Sequence, residues 1–112
     1  MHEYKVILTW EAIYDVTDIS DYIEAEFSKS RADRFQDEIQ AQMKKLGYMS
    51  LAFPKTHILY RNYYIHKKPF PPSIIFYVCM EQTHEIHVLR VLREDRDWIQ
   101  VLQQTPNYTY PE

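Results

Sequence analysis

The chain has one glycine in 112 residues and one cysteine. A single glycine excludes the Gly-rich loops that cradle phosphates, so neither a Walker loop nor a dinucleotide-binding turn is available. A lone Cys79, set in the apolar run SIIFYVCM, excludes an intrachain disulfide framework and reads as a buried structural thiol. No apolar run reaches membrane-spanning length, and the N-terminus MHEYKVILTWEA lacks a signal-peptide pattern, so no membrane partner and a cytoplasmic location are expected. Repeats and low-complexity segments are missing too. No metal or other cofactor is expected. His84 and His87 have metal-like spacing, but neither they nor His57 and His66 are joined by close cysteine or acid ligands, and no Ser–His–Asp order can be assigned.

What is present is a globular composition, 46% hydrophobic and 26% charged, in a length that suits one domain. The net charge of -3 argues against a protein that coats nucleic acid nonspecifically. It averages two unlike regions. Met1 to Glu26 carries seven acids (Glu3, Glu11, Asp15, Asp18, Asp21, Glu24, Glu26) against Lys5, whereas the charged residues from Lys55 to Lys68 (Lys55, Arg61, Lys67, Lys68) are all basic.

EYKVILTW alternates as a first strand, and Thr9 can cap a following helix. Ile13, Val16, Ile23 and Phe27 form a helical stripe interrupted by Ser20, with Asp15, Asp18, Asp21 and Glu24 facing out as a solvated acidic face. Ser30 and Asp33 have capping-box spacing for a second helix, whose stripe is Ala32, Phe35, Ile39, Met43 and Leu46, with Gly47 at its expected end. Two such helices joined by a few residues form an antiparallel hairpin. From His57 the period becomes two. HILYRNYYIH reads as one strand, KKPFPP as a rigid loop, SIIFYVCMEQ as a central strand apolar on both faces, and IHVLRVLR as the last strand after a short turn. Asp95 or Asp97 can cap a short final helix. The order is β-α-α-β-β-β(-α): an α+β domain with a helical hairpin on one face of a small, mostly antiparallel sheet, the other face at least partly open, and a flexible tail over residues 105–112 after a domain of residues 1–104.

IIFYV, a turn, then IHVLRVLREDRDW resembles the closing hairpin of the RelE/ParE superfamily of type II toxin–antitoxin toxins, and the element order is similar across residues 4–102. The resemblance implies a growth-inhibiting toxin of a plasmid-stabilisation type of module with a cognate antitoxin as partner. It also implies either ParE-like poisoning of DNA gyrase, which is not an enzymatic activity, or RelE-like cleavage of mRNA on the ribosome by a metal-independent endoribonuclease. An inactive relative kept as a protein-binding module is a third reading.

Cleavage of RNA without a metal requires a general base, cations at the phosphate and a general acid. The catalytic arginine that the RelE-like pattern implies three residues before Tyr77 falls on Ile74, and its terminal tyrosine falls near Gln100. Losing such a charge costs about 3–4 kcal/mol of transition-state stabilisation. Candidates for a rearranged nuclease set are Arg61, His66, Lys67 and Arg96, and the ParE-like reading, which requires no such set, is preferred. The candidates for contact with a target or partner are Arg90, Arg93 and Arg96. Arg90 is expected on the strand face of Ile86, Val88 and Leu92, its guanidinium paired with Glu81, Glu85 or a carboxylate of the first helix. Arg93 and Arg96 follow where the strand leaves the sheet. RNYYIH beside KKPF is the best basic–aromatic patch for nucleic acid.

Overall fold

The structure is a computed structural model and describes residues 3–105 and 107–112. Strand β1 (Lys5–Leu8) leads into α1 (Trp10–Glu26) and α2 (Lys29–Met49), and a single 3-10 turn (Ser50–Ala52) follows. Then come β2 (Lys55–Tyr60), β3 (Tyr63–Phe70), β4 (Ser73–Met80), β5 (Glu85–Arg93) and α3 (Trp98–Gln104). The sheet order is β1-β5-β4-β3-β2, antiparallel except that β1 runs parallel to β5. A parallel neighbour needs a long crossover, and the helical hairpin supplies it. The α+β architecture expected from the sequence is the one observed, with one strand more.

The extra strand comes from the middle of HILYRNYYIH. Arg61 and Asn62 take φ of 51° and 69°, a pair of left-handed residues that turns the chain back within two positions. Positive φ at arginine is not a composition signal, so this hairpin is invisible in a period-two pattern. KKPF continues β3 instead of looping. The register of β2 with β3 ends at Lys55↔His66, so Pro69 sits where β3 has become an edge and a missing N–H is tolerated.

Thr9 caps α1 as expected, its hydroxyl accepting from the Ala12 N–H at 3.0 Å, and it also donates to the Leu89 carbonyl at 2.8 Å, which ties the helix start to β5. Ser20 interrupts the stripe because it is the contact between helices: it is buried and accepts from Gln36 Nε2 at 2.8 Å. The second cap is Ser28, not Ser30, accepting from the Arg31 N–H, while Asp33 pairs with Lys29 on the surface. Gly47 does not end α2 either. It lies within the helix because β1 passes close by: Tyr4 N–H donates to its carbonyl, and a Cβ there would stand 2.8 Å from the Tyr4 carbonyl oxygen.

Two apolar layers result. Ala12, Ile39, Met43 and Leu46 pack on Ile75, Tyr77, Ile86, Val88 and Val91 on the helix side. On the other side Ile65, Phe76, Val78, Leu89 and Leu92 are covered by Leu102 and Tyr108, with Trp98, Val101 and Tyr110 against them. The second face, expected to be partly open, is therefore covered over its centre by α3 and the C-terminal segment, and β4 is buried along its whole length. Residues 107–112, expected to belong to a flexible tail, lie against the domain. Tyr108 is buried, and Thr109 accepts from the Trp10 N–H at 2.8 Å through its carbonyl.

One irregularity positions the arginines. Phe76 pairs with Arg90 but Tyr77 with Val88, so Leu89 is an extra residue, a β-bulge. Val88 and Val91 therefore both face the helices, while Leu89 and Leu92 face α3. Arg90, opposite Phe76, shares the face of Leu92 but not that of Ile86 and Val88, because the bulge breaks the alternation between them.

Candidate functional site

Past Leu8, which pairs with Val88, β1 no longer covers β5, and Arg90 turns round that free edge. Its Nε and Nη2 donate to the two oxygens of Asp15 at 2.7 and 2.9 Å, and its Nη1 to Thr105 Oγ1 at 3.4 Å. Asp15 also accepts from the Val91 N–H at 2.9 Å, satisfying a backbone donor that no strand reaches. Of the three partners considered for Arg90, the first-helix carboxylate is the one used. Asp15 accordingly leaves the solvated acidic face, its side chain only 10% exposed and that of Arg90 16%. Burial pushes the Asp15 carboxyl up, against the downward pull of Arg90 and the Val91 N–H, and the Asp15 hydrogen bond raises the Arg90 guanidinium. Asp18, Asp21 and Glu24 do face out.

Arg93 and Arg96 stand beyond the sheet. Arg93 is half exposed and donates to Asp95 at 3.2 Å through both Nε and Nη2, and Arg96 is exposed. They rim a groove of about 550 Å³ between the hairpin and the ends of β4 and β5. Its floor is apolar, from Ile19, Ile23, Phe35, Val91 and Leu92, and Tyr22, Phe27 and Arg31 form the far side. Phe27, at the end of the α1 stripe, does not enter the core but remains 57% exposed, with the Arg31 guanidinium 4.1 Å over its ring. Tyr22, Phe27 and Arg31 were not separable from the sequence as site residues. The available signal was an apolar stripe longer than the helix needs for packing.

The four nuclease candidates are dispersed. Arg61 is at the β2–β3 turn, over the Tyr60 ring at 5.1 Å. His66 is buried on the helix side, where Nδ1 donates to the Phe53 carbonyl at 2.8 Å and the ring stacks on Tyr77 at 5.0 Å. Tyr77 donates to the Ser50 carbonyl, and burial pushes its hydroxyl well above the usual range. Lys67 lies on the opposite face, its ammonium 5.3 Å over Trp98. Arg96 belongs to the groove. Ile74 and Gln100, where the RelE-like pattern calls for arginine and tyrosine, lie in β4 and α3, the first buried and the second exposed.

The other singled-out groups serve the fold. His87 bonds Glu85 at 3.0 Å through Nε2 and Tyr110 at 2.9 Å through Nδ1, while His84 stacks on Tyr4. Cys79 is buried, which pushes its thiol up, and accepts from Ser50 Oγ at 3.6 Å. Asp97, the second of the two proposed caps, accepts from the Gln100 N–H at the start of α3. Among the described residues, no group of three or more His, Cys, Asp or Glu is arranged to hold a metal ion, and no helix is long and apolar enough to cross a membrane.

Glu11 holds the C-terminal segment through the Thr109 N–H and hydroxyl, both at 2.8 Å. Burial raises its carboxyl somewhat, but those bonds and Arg90 draw it below the ordinary value. A depressed folded value stabilises the docked segment above the ordinary carboxylate range, and that stabilisation is lost as pH falls through the folded value. The Thr109 amide resonance is expected to titrate with a midpoint below 4.5, the ordinary value. In Glu11→Gln the step should vanish, and its persistence would assign it to another carboxylate.

A profile for the ParE toxin of the type II toxin–antitoxin system parDE matches residues 6–98. The fold is similar to that of a chain in the chromosomal ParDE toxin–antitoxin system from P. aeruginosa, with a TM-score of 0.68 and 18% identity over 83% of this chain and 98% of that one. It is also similar to a chain in the RelBE2 toxin–antitoxin complex from Mycobacterium tuberculosis, with a TM-score of 0.59 and 14% identity over 86% and 97%. At such identities the likeness concerns the fold. No curated protein matches the chain. The profile spans both sides of the Arg93–Arg96 groove and every strand of the sheet, and on that match the chain belongs to the family of ParE toxins of type II toxin–antitoxin systems.

Proposed function

We propose that this protein inhibits growth by ParE-like action on DNA gyrase in the cytoplasm, held in check by a cognate antitoxin encoded with it in a plasmid-stabilisation type of module. The observation that carries the reading is the dispersal of the nuclease candidates. His66 and Lys67 are adjacent in β3 and so point to opposite faces, and Arg61 and Arg96 lie at two further places. Phosphodiester cleavage needs base, cation and acid within hydrogen-bond reach of one phosphate, and these four residues do not meet that condition. Inhibition of a protein target needs a surface instead. The groove supplies one, with an apolar floor and with Arg31, Arg93 and Arg96 at its margins. The P. aeruginosa and M. tuberculosis chains occur in toxin–antitoxin complexes, which supports an antitoxin as partner.

Inducing the protein without an antitoxin, and reading DNA integrity and transcript ends in one culture, tests this. Double-strand breaks with intact transcripts are expected. Transcripts cut only during translation would replace gyrase by the ribosome as target. Neither effect, with antitoxin binding retained, would mark a protein-binding relative that has lost toxicity.

A further inference from the structure

Residues 107–112 follow α3 and lie against the second face of the sheet, fastened at two points. Thr109 is held to the first turn of α1 by the Trp10 N–H and by Glu11, every bond at 2.8 Å, and both Trp10 and Thr109 are exposed. The Tyr110 hydroxyl lies 2.9 Å from His87 Nδ1 and 3.2 Å from the Tyr60 hydroxyl. The Glu85 carboxylate can only accept, so it takes the Nε2–H of a neutral His87. Tyr110 then donates to Nδ1 and accepts from Tyr60.

Tyr108 works against this docking. Its ring is buried edge-on against Tyr60 at 5.0 Å. Among the described residues, its hydroxyl is the one buried side-chain donor or acceptor with no hydrogen-bond partner. The Thr105 hydroxyl beside it donates to the Val101 carbonyl at 2.7 Å and accepts from Arg90. A buried hydroxyl without a bond is unfavourable, and hydration relieves it once the segment lifts away. The start of the segment is loosely seated as well. A cleft of about 500 Å³ lies between Gln103, Thr105 and Asn107 on one side and residues 57–61 on the other. The α3 helix itself is fixed, with Asp97 as its cap, Leu102 buried and Thr105 tied to Arg90.

We propose that residues 107–112 are a latch that opens while the rest of the domain stays folded, uncovering Tyr60, His87 and the Leu89 side of the sheet. The closed form is held by bonds at the surface, by the Tyr110 contacts, and by a tyrosine whose hydroxyl opposes it. Segments with such contacts lie at the low end of local stability. The open form presents an apolar sheet face that the closed form hides, so a partner of that face binds in proportion to the open fraction. The Arg93–Arg96 groove shares no residue with the latch. The latch therefore stands apart from the gyrase reading, and its test contains no target.

Native-state hydrogen exchange read by NMR tests it. The Trp10 and Thr109 amides, on opposite sides of the contact, should share one opening equilibrium. That opening should be at least about a hundredfold more populated than the one that exposes the buried Val78 amide. Tyr108→Phe removes the unbonded hydroxyl and should reduce the latch opening about tenfold. Tyr108→Ser with Tyr110→Ser should hold the segment open. The full chain then keeps its circular dichroism spectrum and cooperative melting, while the fluorescence of added anilinonaphthalene sulfonate rises several-fold over wild type. If that double variant does not fold, exchange in the wild type and in Tyr108→Phe decides alone. Equal protection of Thr109 and Val78, separate openings for Trp10 and Thr109, unchanged or faster exchange in Tyr108→Phe, or a folded double variant that binds no dye would each overturn the latch.

Discussion

Asp15→Ala is expected to destabilise the fold by about 3 kcal/mol, the lower end of the cost of leaving one charge of a buried pair without its partner. The lower end applies because the Arg90 side chain is still 16% exposed. For a domain of this length that corresponds to a melting temperature lower by roughly 12 °C, at about 4 °C per kcal/mol. Three groups lose their acceptor together: Arg90 Nε, Arg90 Nη2 and the Val91 N–H. Replacing both partners, Asp15→Leu with Arg90→Met, should recover the part of the loss that comes from the stranded guanidinium, since an apolar pair of similar volume avoids the desolvation cost of both ions, while the Val91 N–H still lacks its acceptor. Thermal unfolding of the two variants beside the wild type separates the cases. A single variant within about 0.5 kcal/mol of wild type would mean that the bridge behaves as an exposed pair.

Arg93→Ala with Arg96→Ala is expected to abolish growth inhibition while the protein remains folded. Both side chains are exposed and the Arg93–Asp95 pair is a surface bridge, worth under about 1 kcal/mol. The Arg96 N–H to Arg93 carbonyl bond that shapes the strand end belongs to the backbone and survives. The groove, however, loses two of its three arginines and with them the geometry for pairing with a carboxylate on a partner. Colony counts after induction, with the melting temperature measured in parallel, give the answer. Full toxicity in the double variant would move the contact surface away from the groove.

The two expectations differ because Arg90, Arg93 and Arg96, evenly spaced in the chain, reach different environments. Arg90 lies beside a one-residue bulge and a strand edge that β1 leaves uncovered. Neither can be seen in IHVLRVLR, where a bulge changes no residue type. The same holds for Arg61 and Asn62: the chain reverses there through two positive φ angles, and no glycine announces it. Gly47 shows the converse. A glycine near a helix end suggests a cap, but here its missing Cβ leaves room for β1, a contact 43 positions away in the chain.

By itself the sequence determined the helical hairpin, the apolar β4 buried on both faces, the Thr9 cap, and an acid partner for Arg90. These follow from local periodicity and from the high cost of burying an unpaired charge. It also carried the segregation of acidic and basic residues along the chain. Only the tertiary structure decided that Asp15 is the partner, that α3 and Tyr108 close the second face, and that His66 and Lys67 part to opposite sides. It also gathered Phe27, Arg31, Arg93 and Arg96 into one groove. The physical reason is range. Periodicity registers what a residue does to its neighbours three or four positions away, whereas a groove or an ion pair depends on which surfaces the sheet order brings together.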